Sequence, residues 1–309
     1  MYKGLVVKST GSRYFVTSKD DKIVECVIRG KFRIKGIKST NPVAVGDFVF
    51  YNYDESLELG IIKKIEDRKN YILRKSVNLS KQSHIIASNV DIAFVLITLA
   101  QPETSTEFID RILVVAESFK IESILIFNKI DLLSEDLTYY MDYLINTYEK
   151  IGYKCIKTNL LEGLNLDQIK VEIKNKTSVI IGHSGTGKST LINKLEPKIN
   201  AKIGEISEYH KTGKHTTTFA EMFKLKDGGY YIDTPGIRGF GLLDYKKEEL
   251  HHYFPEIFKI SKDCKYQNCT HTHEPQCAVK AAVDENIISE ERYNNYLNIF
   301  FDENDKHRI

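Results

Sequence analysis

The chain has 309 residues, of which 42% are hydrophobic and 28% are charged, a balance typical of a folded globular protein rather than a disordered one. At roughly 150 residues per domain, this length predicts about two domains with room for a small third one. No stretch approaches the ~18 uncharged apolar residues of a membrane span, and no signal-peptide core is present, so we expect a cytoplasmic protein rather than a membrane or secreted one.

The net charge of +2 is unevenly distributed along the chain. Residues 1–80 contain 16 Lys and Arg against 9 Asp and Glu, whereas the remainder contains 28 against 33. A basic N-terminal quarter indicates a polyanionic partner, although solvated lysines on a small barrel would produce the same excess.

Residues 1–75 have the pattern of a small β-barrel. Turn-forming pairs at Gly11-Ser12 and Asp20-Asp21 separate short runs of β-prone residues. Five such runs in so short a segment predict a closed barrel such as the OB-fold. The runs cover residues 5–7, 14–16, 23–28, 45–50 and 59–62.

Beyond residue 89 the pattern changes to alternating strands and helices. Residues 92–99 and 124–127 are continuous apolar runs, as expected of strands that are buried on both faces. Between them, apolar residues recur at 4-3-4 spacing from Phe108 to Phe119, which predicts one face of a helix. This alternation predicts a parallel α/β sheet. A second helix is predicted over 137–148, and further strands over 153–156, 179–181 and 230–232.

Asn128-Lys129-Ile130-Asp131 directly follows the strand predicted over 124–127. A carboxylate such as that of Asp131 can accept both N–H groups of the guanine N1/N2 edge, which adenine does not offer. Lys129 would lie along the base, and Asn128 would brace the loop. On its own, this sequence also fits an ordinary turn that ends in a helix-capping aspartate.

A second element on the guanine side follows the strand predicted over 153–156. Lys157-Thr158-Asn159 occupies the place where GTP-binding proteins have a Ser/Thr-Ala-like turn that supports the base-recognition loop. Asn159 departs from the usual small residue. The two elements together favour guanine as the base.

A glycine-rich loop of the form G-x-x-x-x-G-K-[ST] follows the strand predicted over 179–181, and a helix is predicted to continue from it. Such glycines let backbone N–H groups wrap a β-phosphate at the positive end of the helix. Lys188 would bridge the β- and γ-phosphates, and the Ser189 hydroxyl would ligate Mg²⁺. A chance match in a glycine turn is disfavoured by the flanking strand and helix. The predicted nucleotide-binding residues of this loop are Gly182, His183, Ser184, Gly185, Thr186, Gly187, Lys188, Ser189 and Thr190.

Asp233-Thr234-Pro235-Gly236 follows the strand predicted over 230–232. An aspartate at a strand end can hold Mg²⁺ through water, and the Gly236 amide can meet a γ-phosphate. D-x-x-G alone occurs in many turns, but paired with the phosphate loop it predicts the other side of one nucleotide site.

The order of these motifs is unusual, because the base-recognition elements at 128 and 158 precede the phosphate loop at 182. In ordinary GTPases the phosphate loop comes first. Chain ends generally lie close together on a domain surface, so the same sheet can be built with its termini moved. The order therefore predicts a circularly permuted GTPase domain over residues 76–243, in which the segment after Gly236 leads directly into the C-terminal domain.

Three of the five cysteines, Cys264, Cys269 and Cys277, lie within fourteen residues of the tail. Such clustering is typical of metal ligation in a reducing compartment, the alternative being free thiols in a helical tail. With His271 or His273 as the fourth ligand, the set would be closed and tetrahedral, which is typical of structural Zn²⁺. We therefore predict a helical zinc-binding domain over residues 244–309.

These features together closely resemble the RsgA family, the ribosome small-subunit-dependent GTPases, over essentially the whole chain. Thr186 stands where the family commonly has Val. The resemblance implies an α/β fold, a circularly permuted P-loop GTPase domain flanked by an N-terminal OB-fold barrel and a C-terminal helical zinc-binding domain, and it selects His271 as the fourth zinc ligand. Its most specific marks are the permuted order, the loop from Gly182 to Thr190, the run Lys214-His215-Thr216-Thr217-Thr218 and the segment 264–279.

The resemblance further implies that GTP is hydrolysed with Mg²⁺, weakly by the protein alone and faster with the 30S subunit, in late small-subunit maturation. Contacts to 16S rRNA would come from the barrel, helped by the zinc domain, in a monomeric protein carrying one Zn²⁺. The basic excess of residues 1–80 agrees with this, since OB-folds bind RNA through basic faces. Candidate RNA contacts on one predicted strand are Arg29, Lys31, Arg33 and Lys35.

Ile237 stands where many GTPases place a glutamine that orients the attacking water, and an aliphatic side chain cannot do this. His215 is the best catalytic candidate, because a histidine can position or deprotonate water near neutral pH, and the resemblance points to the same residue. His215 could instead be a solvated loop histidine or an RNA contact. Of the threonines at 216–218, we expect Thr217 to complete the Mg²⁺ shell.

Two other functions fit parts of the sequence. One is an RNA-bound GTP sensor in which hydrolysis is incidental. It differs from a 30S-stimulated GTPase in that the 30S subunit would bind without raising turnover. The other is an ATP-dependent P-loop enzyme, which Asp131 disfavours.

Overall fold

The computed structural model describes residues 1–18, 20–28, 42–75, 83–199, 220–233 and 246–302. The candidate RNA contacts at 29–35 and the switch residues at 215–218 and 236–237 lie outside this part. The chain divides into two compact units. One unit consists of Met1–Ala93, Asp167–Ile180 and Ser189–Gly239, and the other of Phe94–Leu166, Ile181–Lys188 and Phe240–Ile309.

The N-terminal strands of the first unit form a closed barrel. Pairing runs from β1 through β2, β3, β5 and β4 back to β1, and β3 with β5 is the one parallel pair in this circuit. The five-stranded barrel predicted from the sequence is thus confirmed. Its strands are β1 (Tyr2–Ser9), β2 (Tyr14–Thr17), β3 (Ile23–Ile28), β4 (Phe48–Asp54) and β5 (Leu59–Ile65). A hairpin that the sequence did not predict follows, made of β6 (Tyr71–Lys75) and β7 (Ser83–Ser88).

The barrel closes because alternate residues of its strands are apolar and point inward. Val6, Val16, Val49 and Ile62 are almost completely buried in its core. At its rim, the buried Asp47 carboxylate accepts hydrogen bonds from the Ala44 amide, the Ser88 hydroxyl and the Arg68 guanidinium. This carboxylate links the barrel to the hairpin.

The middle of the chain alternates strands and helices as predicted. All six residues of β8 are buried, which explains its uninterrupted apolar sequence. Two elements, α3 and β12, were not predicted. The elements are β8 (Ile92–Ile97), α1 (Thr106–Ser118), β9 (Glu122–Phe127), α2 (Glu135–Ile151), β10 (Lys154–Lys157), α3 (Leu166–Ile173), β11 (Thr177–Ile181), α4 (Lys188–Leu195), β12 (Glu221–Lys224) and β13 (Tyr230–Asp233).

Strand pairing within each unit follows this alternation. In the second unit β9 lies between β8 and β10, and β9 and β10 are parallel. In the first unit β11 and β13 are parallel, β12 is antiparallel to β13, and β12 also pairs with β1 through Lys8 and Glu221. Because β11 and β13 are parallel, their carboxyl ends face the same edge of the sheet.

The tail is helical, as predicted, and lies in the second unit. Its core packs Leu250, Phe254 and Tyr296 with Val114 of α1. None of the described helices has the length and apolar character that crossing a bilayer requires. After a 3₁₀ helix over Lys247–Tyr253, the tail contains α5 (Pro255–Ser261), α6 (Ala278–Asp284) and α7 (Glu290–Phe301).

A buried ionic network joins α1 to α7 in the second unit. The Arg292 side chain, only 3% exposed, forms ion pairs with the fully buried Asp110 and with Glu256. Asp110 also accepts hydrogen bonds from Tyr148 (2.8 Å) and Asn295 (2.7 Å). Burial raises the pKa of Asp110, and these partners act against that rise by favouring the carboxylate.

Candidate functional site

The phosphate loop lies between β11 and α4, the context that the motif requires. The Lys188 ammonium donates hydrogen bonds back into the loop, to the carbonyl of Gly182 (2.7 Å) and to that of His183. Thr186 is buried, and its hydroxyl donates to the same His183 carbonyl (3.0 Å). The lysine therefore lies over the loop, within reach of the phosphate position.

Gly187 shows why this loop needs glycine. Its φ of 106° lies in the left-handed region, and a Cβ added to it would collide with the Asn128 side-chain amide. A side chain here would force the phosphate loop and the Asn128 loop apart. The two motifs, fifty-eight residues apart between Asn128 and Thr186, are therefore in direct contact.

Asn128 joins three segments of the site, at a point that we call the Asn128 junction. Its side-chain amide donates to the Thr186 carbonyl (2.8 Å), and its side-chain oxygen accepts from the Leu160 amide (3.1 Å). Its own backbone amide donates to Ile97 at the end of β8 (2.8 Å). The side chain is buried, with every polar atom of its amide group engaged on both sides of the loop. These bonds hold the Asn128 loop against the phosphate loop and the segment after β10.

The residues after β10 form the third segment. The Thr158 hydroxyl donates to the Leu164 carbonyl (2.5 Å), which closes the loop. The buried Asn159 side chain accepts from the backbone amides of Leu161 (3.1 Å) and Glu162 (3.4 Å), an Asx-type turn. Asparagine can therefore replace the usual small residue here, because its side chain supplies the turn itself.

Lys129 and Asp131 follow Asn128 in the chain, beside the Asn128 junction. Lys129 adopts a left-handed backbone conformation (φ 62°), and its ammonium donates to the Gln101 carbonyl (2.6 Å). A 3₁₀ turn over Ile130–Leu132 follows, with Ile130 partly buried and the Asp131 carboxylate exposed. An exposed carboxylate is open to accept the N–H groups at the edge of a base. The Gln101 contact could not be predicted from the sequence, because it depends on the conformation of the loop after β8.

Asp233 ends β13, the strand parallel to β11, in the first unit. Burial raises the pKa of its carboxyl, while a hydrogen bond from the Tyr231 hydroxyl (3.3 Å) acts in the opposite direction. A nearby cation would favour the charged form of this partly buried carboxyl. Ser189 and Thr190 lie in the first turn of α4.

The tail brings four ligand atoms together. The Cys264, Cys269 and Cys277 sulfurs and a His271 ring nitrogen all lie within 4.8 Å of one another. His271 Nδ1 is 3.6 Å from the Cys264 sulfur and 3.5 Å from the Cys277 sulfur, and these two sulfurs are 3.9 Å apart. Zn–S and Zn–N bonds of about 2.3 and 2.0 Å give tetrahedral edges of about 3.5–3.8 Å, so the set fits one zinc ion.

The loop around His271 is held by its own hydrogen bonds. The Glu274 carboxylate accepts from the Thr270 amide (2.7 Å) and hydroxyl and from the Thr272 amide (3.0 Å). Burial alone would raise the pKa of Glu274, but these hydrogen bonds outweigh it and lower the pKa to about 2. Tyr293 donates its hydroxyl to the His271 carbonyl (2.7 Å). Glu274, three residues beyond His271, could not be predicted from the sequence, because no metal motif requires it.

Two family models match the chain. The RsgA GTPase model covers residues 65–243, and the RsgA N-terminal domain model covers residues 3–62. The chain belongs to the RsgA GTPase family. Membership explains the permuted order of the motifs and confirms that the protein is a GTPase, with GTP as substrate and Mg²⁺ as the expected ion.

Full-length relatives agree with this assignment to the RsgA family. The chain is 55% identical to the small ribosomal subunit biogenesis GTPase RsgA 2 of Bacteroides thetaiotaomicron, over 97% of this chain and 96% of that one. It is 53% identical to the RsgA of Christiangramia forsetii, over 99% and 98%. Among solved structures it resembles YjeQ of Thermotoga maritima (34% identity, TM-score 0.78, 97% of each chain) and YloQ, a circularly permuted GTPase (30% identity, TM-score 0.75, 97% and 94%).

Substituting Cys277 by serine should abolish zinc binding, because a closed tetrahedral set loses one of its thiolates. The expected result is a fall from about one zinc per chain to near zero, measured by elemental analysis, together with a lower melting temperature. Cys155→Ser is the matched control, since Cys155 lies outside the cluster. Wild-type protein purified without chelators that carried far less than one zinc per chain would contradict the assignment.

Proposed function

We propose that this GTPase acts in biogenesis of the small ribosomal subunit, where binding to the 30S subunit stimulates its hydrolysis of GTP. The observation that carries the proposal is the Asn128 junction, which joins a guanine-side motif to a phosphate loop in permuted order. The names of full-length relatives supply the ribosomal context.

Each site residue has a role in this proposal. Asp131 accepts the guanine N–H groups, Lys129 lies along the base, and the loop at Ile130, Thr158 and Asn159 supports them. The backbone of 182–187 and Lys188 hold the phosphates, helped by Gly236. Mg²⁺ would be held by Ser189 directly, by Thr217 in the GTP state and by Asp233 through water. The exposed position of Asp131 and the engagement of Asn128 on both sides support these roles.

The partner in this proposal is 16S rRNA within the 30S subunit. The barrel at 1–75 and the zinc domain at 244–309 bind it, and the GTPase domain at 76–243 lies between them in the chain. The excess of Lys and Arg in residues 1–80 supports an RNA-binding role for the barrel. We place the protein in the cytoplasm, where the 30S subunit matures, and expect a monomer.

Hydrolysis of GTP and of ATP, each with and without salt-washed 30S subunits, tests the proposal. We expect slow GTP turnover by the protein alone, a large increase with 30S subunits, and no comparable increase with ATP. If 30S subunits bound without raising turnover, the protein would be an RNA-bound GTP sensor. If ATP were used equally well, guanine recognition by Asp131 would be wrong.

His215 is proposed to position or deprotonate the attacking water. His215→Ala should retain GTP affinity but lose about 10²–10⁴-fold of the 30S-stimulated turnover, the usual contribution of a general base. His210→Ala, five residues earlier in the same segment, is the matched control and should keep full turnover. Stimulated turnover that survived in His215→Ala would leave His215 as an RNA contact or a solvated side chain.

A further inference from the structure

The second residue of the phosphate loop is anchored outside the loop. The His183 imidazole stacks on the Phe108 ring of α1, with ring centroids 3.8 Å apart and an angle of 28° between the planes. Phe108 is 6% exposed and lies in the first turn of α1, where its backbone amide donates to the capping Ser105 hydroxyl (3.2 Å). The ring that receives His183 is therefore fixed by packing and by the helix cap.

The anchored residue also carries the carbonyl on which the loop closes. The His183 carbonyl accepts from the Lys188 ammonium and from the Thr186 hydroxyl. The orientation of the peptide between residues 183 and 184 thus determines where the Lys188 ammonium lies before a nucleotide binds and where the neighbouring amides point.

A second contact comes from the same region of the chain. The Pro102 ring lies 3.3 Å from the position of a Cβ on Gly185, and the Pro102 carbonyl accepts from the Thr98 hydroxyl (2.5 Å). Pro102, between β8 and α1, and Phe108, at the start of α1, thus both lie against the phosphate loop. No nucleotide motif includes either residue, and the sequence pattern indicates only that Phe108 belongs to the buried face of a helix.

We propose that Phe108 is a positioning residue for the phosphate loop, acting through its stack on His183. The stack holds the loop in the shape that receives phosphate before the nucleotide arrives. Losing it leaves the loop free to adopt other shapes, and nucleotide binding must then pay the cost of ordering it. Once a bound nucleotide has ordered the loop, Lys188 and the loop amides lie in the same places, so the rate of the chemical step stays unchanged.

The test compares affinity for a fluorescent methylanthraniloyl-GDP and steady-state GTP hydrolysis across variants of the full chain. Phe108→Leu should bind about three- to tenfold more weakly, the usual contribution of an aromatic pair, and should raise KM for GTP without lowering kcat. Phe108→Tyr retains a ring and should restore affinity. Val115→Ala, two turns further along the buried face of α1, is the control for simple loss of packing.

A double-mutant cycle separates positioning from packing. If Phe108 acts through His183, then Phe108→Leu should weaken binding little further in a His183→Ala background. Additive losses, or a Val115→Ala variant that bound equally weakly, would overturn the proposal. If Phe108→Leu does not fold, the affinities of His183→Ala and His183→Phe are compared instead. Only His183→Phe keeps a ring that can stack on Phe108, so it should bind the nucleotide more tightly. Equal affinities of those two variants would also overturn it.

Discussion

Replacing Arg292 by methionine should lower the free energy of unfolding by about 3–5 kcal/mol, the usual effect of removing one partner from a buried ion pair. The substitution keeps the volume of the side chain but leaves Asp110 and Glu256 without their cation. It also removes a guanidinium whose carbon lies 4.6 Å from the centroid of the Phe254 ring. Urea unfolding followed by far-UV circular dichroism would measure the loss, since the chain has no tryptophan.

An exposed ion pair supplies the control for this measurement. The Arg13 side chain is 58% exposed where it pairs with Glu25, so Arg13→Met should cost less than about 1 kcal/mol. Equal and small losses in both variants would mean that the network contributes little to the attachment of α7 to α1. An Asp110→Asn change added to Arg292→Met should recover part of the loss, because one lone buried charge is then removed.

Replacing Asp131 by asparagine should exchange guanine for xanthine as the preferred base. In the proposed base site the Asp131 carboxylate accepts two N–H groups from guanine, and losing this charge-assisted pair should weaken GTP binding by about 100-fold or more. Xanthine presents a carbonyl where guanine has its amino group, and the asparagine amide can donate to it. Competition of GTP, xanthosine triphosphate and ATP against a fluorescent nucleotide measures the exchange.

Asp136→Asn is the matched control for the base exchange. Asp136 is an exposed acid in the first turn of α2, a short distance beyond Asp131 in the chain, and its loss changes the local charge equally. GTP preference should be unchanged in this variant. Undiminished GTP affinity in Asp131→Asn would mean that another group reads the base.

The parts of the fold that could be predicted are those with a local cause. The barrel strands follow from alternating apolar residues and turn pairs, and β8 follows from a run buried on both faces. The β6–β7 hairpin and β12 were missed although each pairs with a strand nearby in the sequence, as Phe223 does with Tyr231, because β-propensity over such short runs is a weak signal until the strands pack against their partners. The geometry also distinguishes two histidines that spacing alone left open, since His271 lies among the sulfurs while His273 contacts the Thr272 hydroxyl.

The same distinction holds within the nucleotide site. The motif residues could be predicted because phosphate and base chemistry restricts the residue types and the spacing within each motif, whatever the order of the motifs in the chain. The Phe108–His183 stack, the Gln101 contact to Lys129 and the Arg292 network were not found, because each joins segments that no motif connects. An arginine in a polar helix such as α7 is usually exposed, and only the packing of α1 against it reveals the buried pair.

The Asn128 junction imposes an order in time on the making of this protein. The base-reading half leaves the translating ribosome first, and the carbonyl of Thr186 that completes it follows fifty-eight residues later. At a synthesis rate of about 5–20 residues per second, the Thr186 carbonyl is made roughly 3–12 s after the Asn128 side-chain amide that donates to it. During that interval the nascent chain has no cradle for phosphate, so nucleotide cannot assist its early folding. In a GTPase of the usual order, the phosphate loop would emerge first and could bind nucleotide before the base-recognition segment had been synthesised.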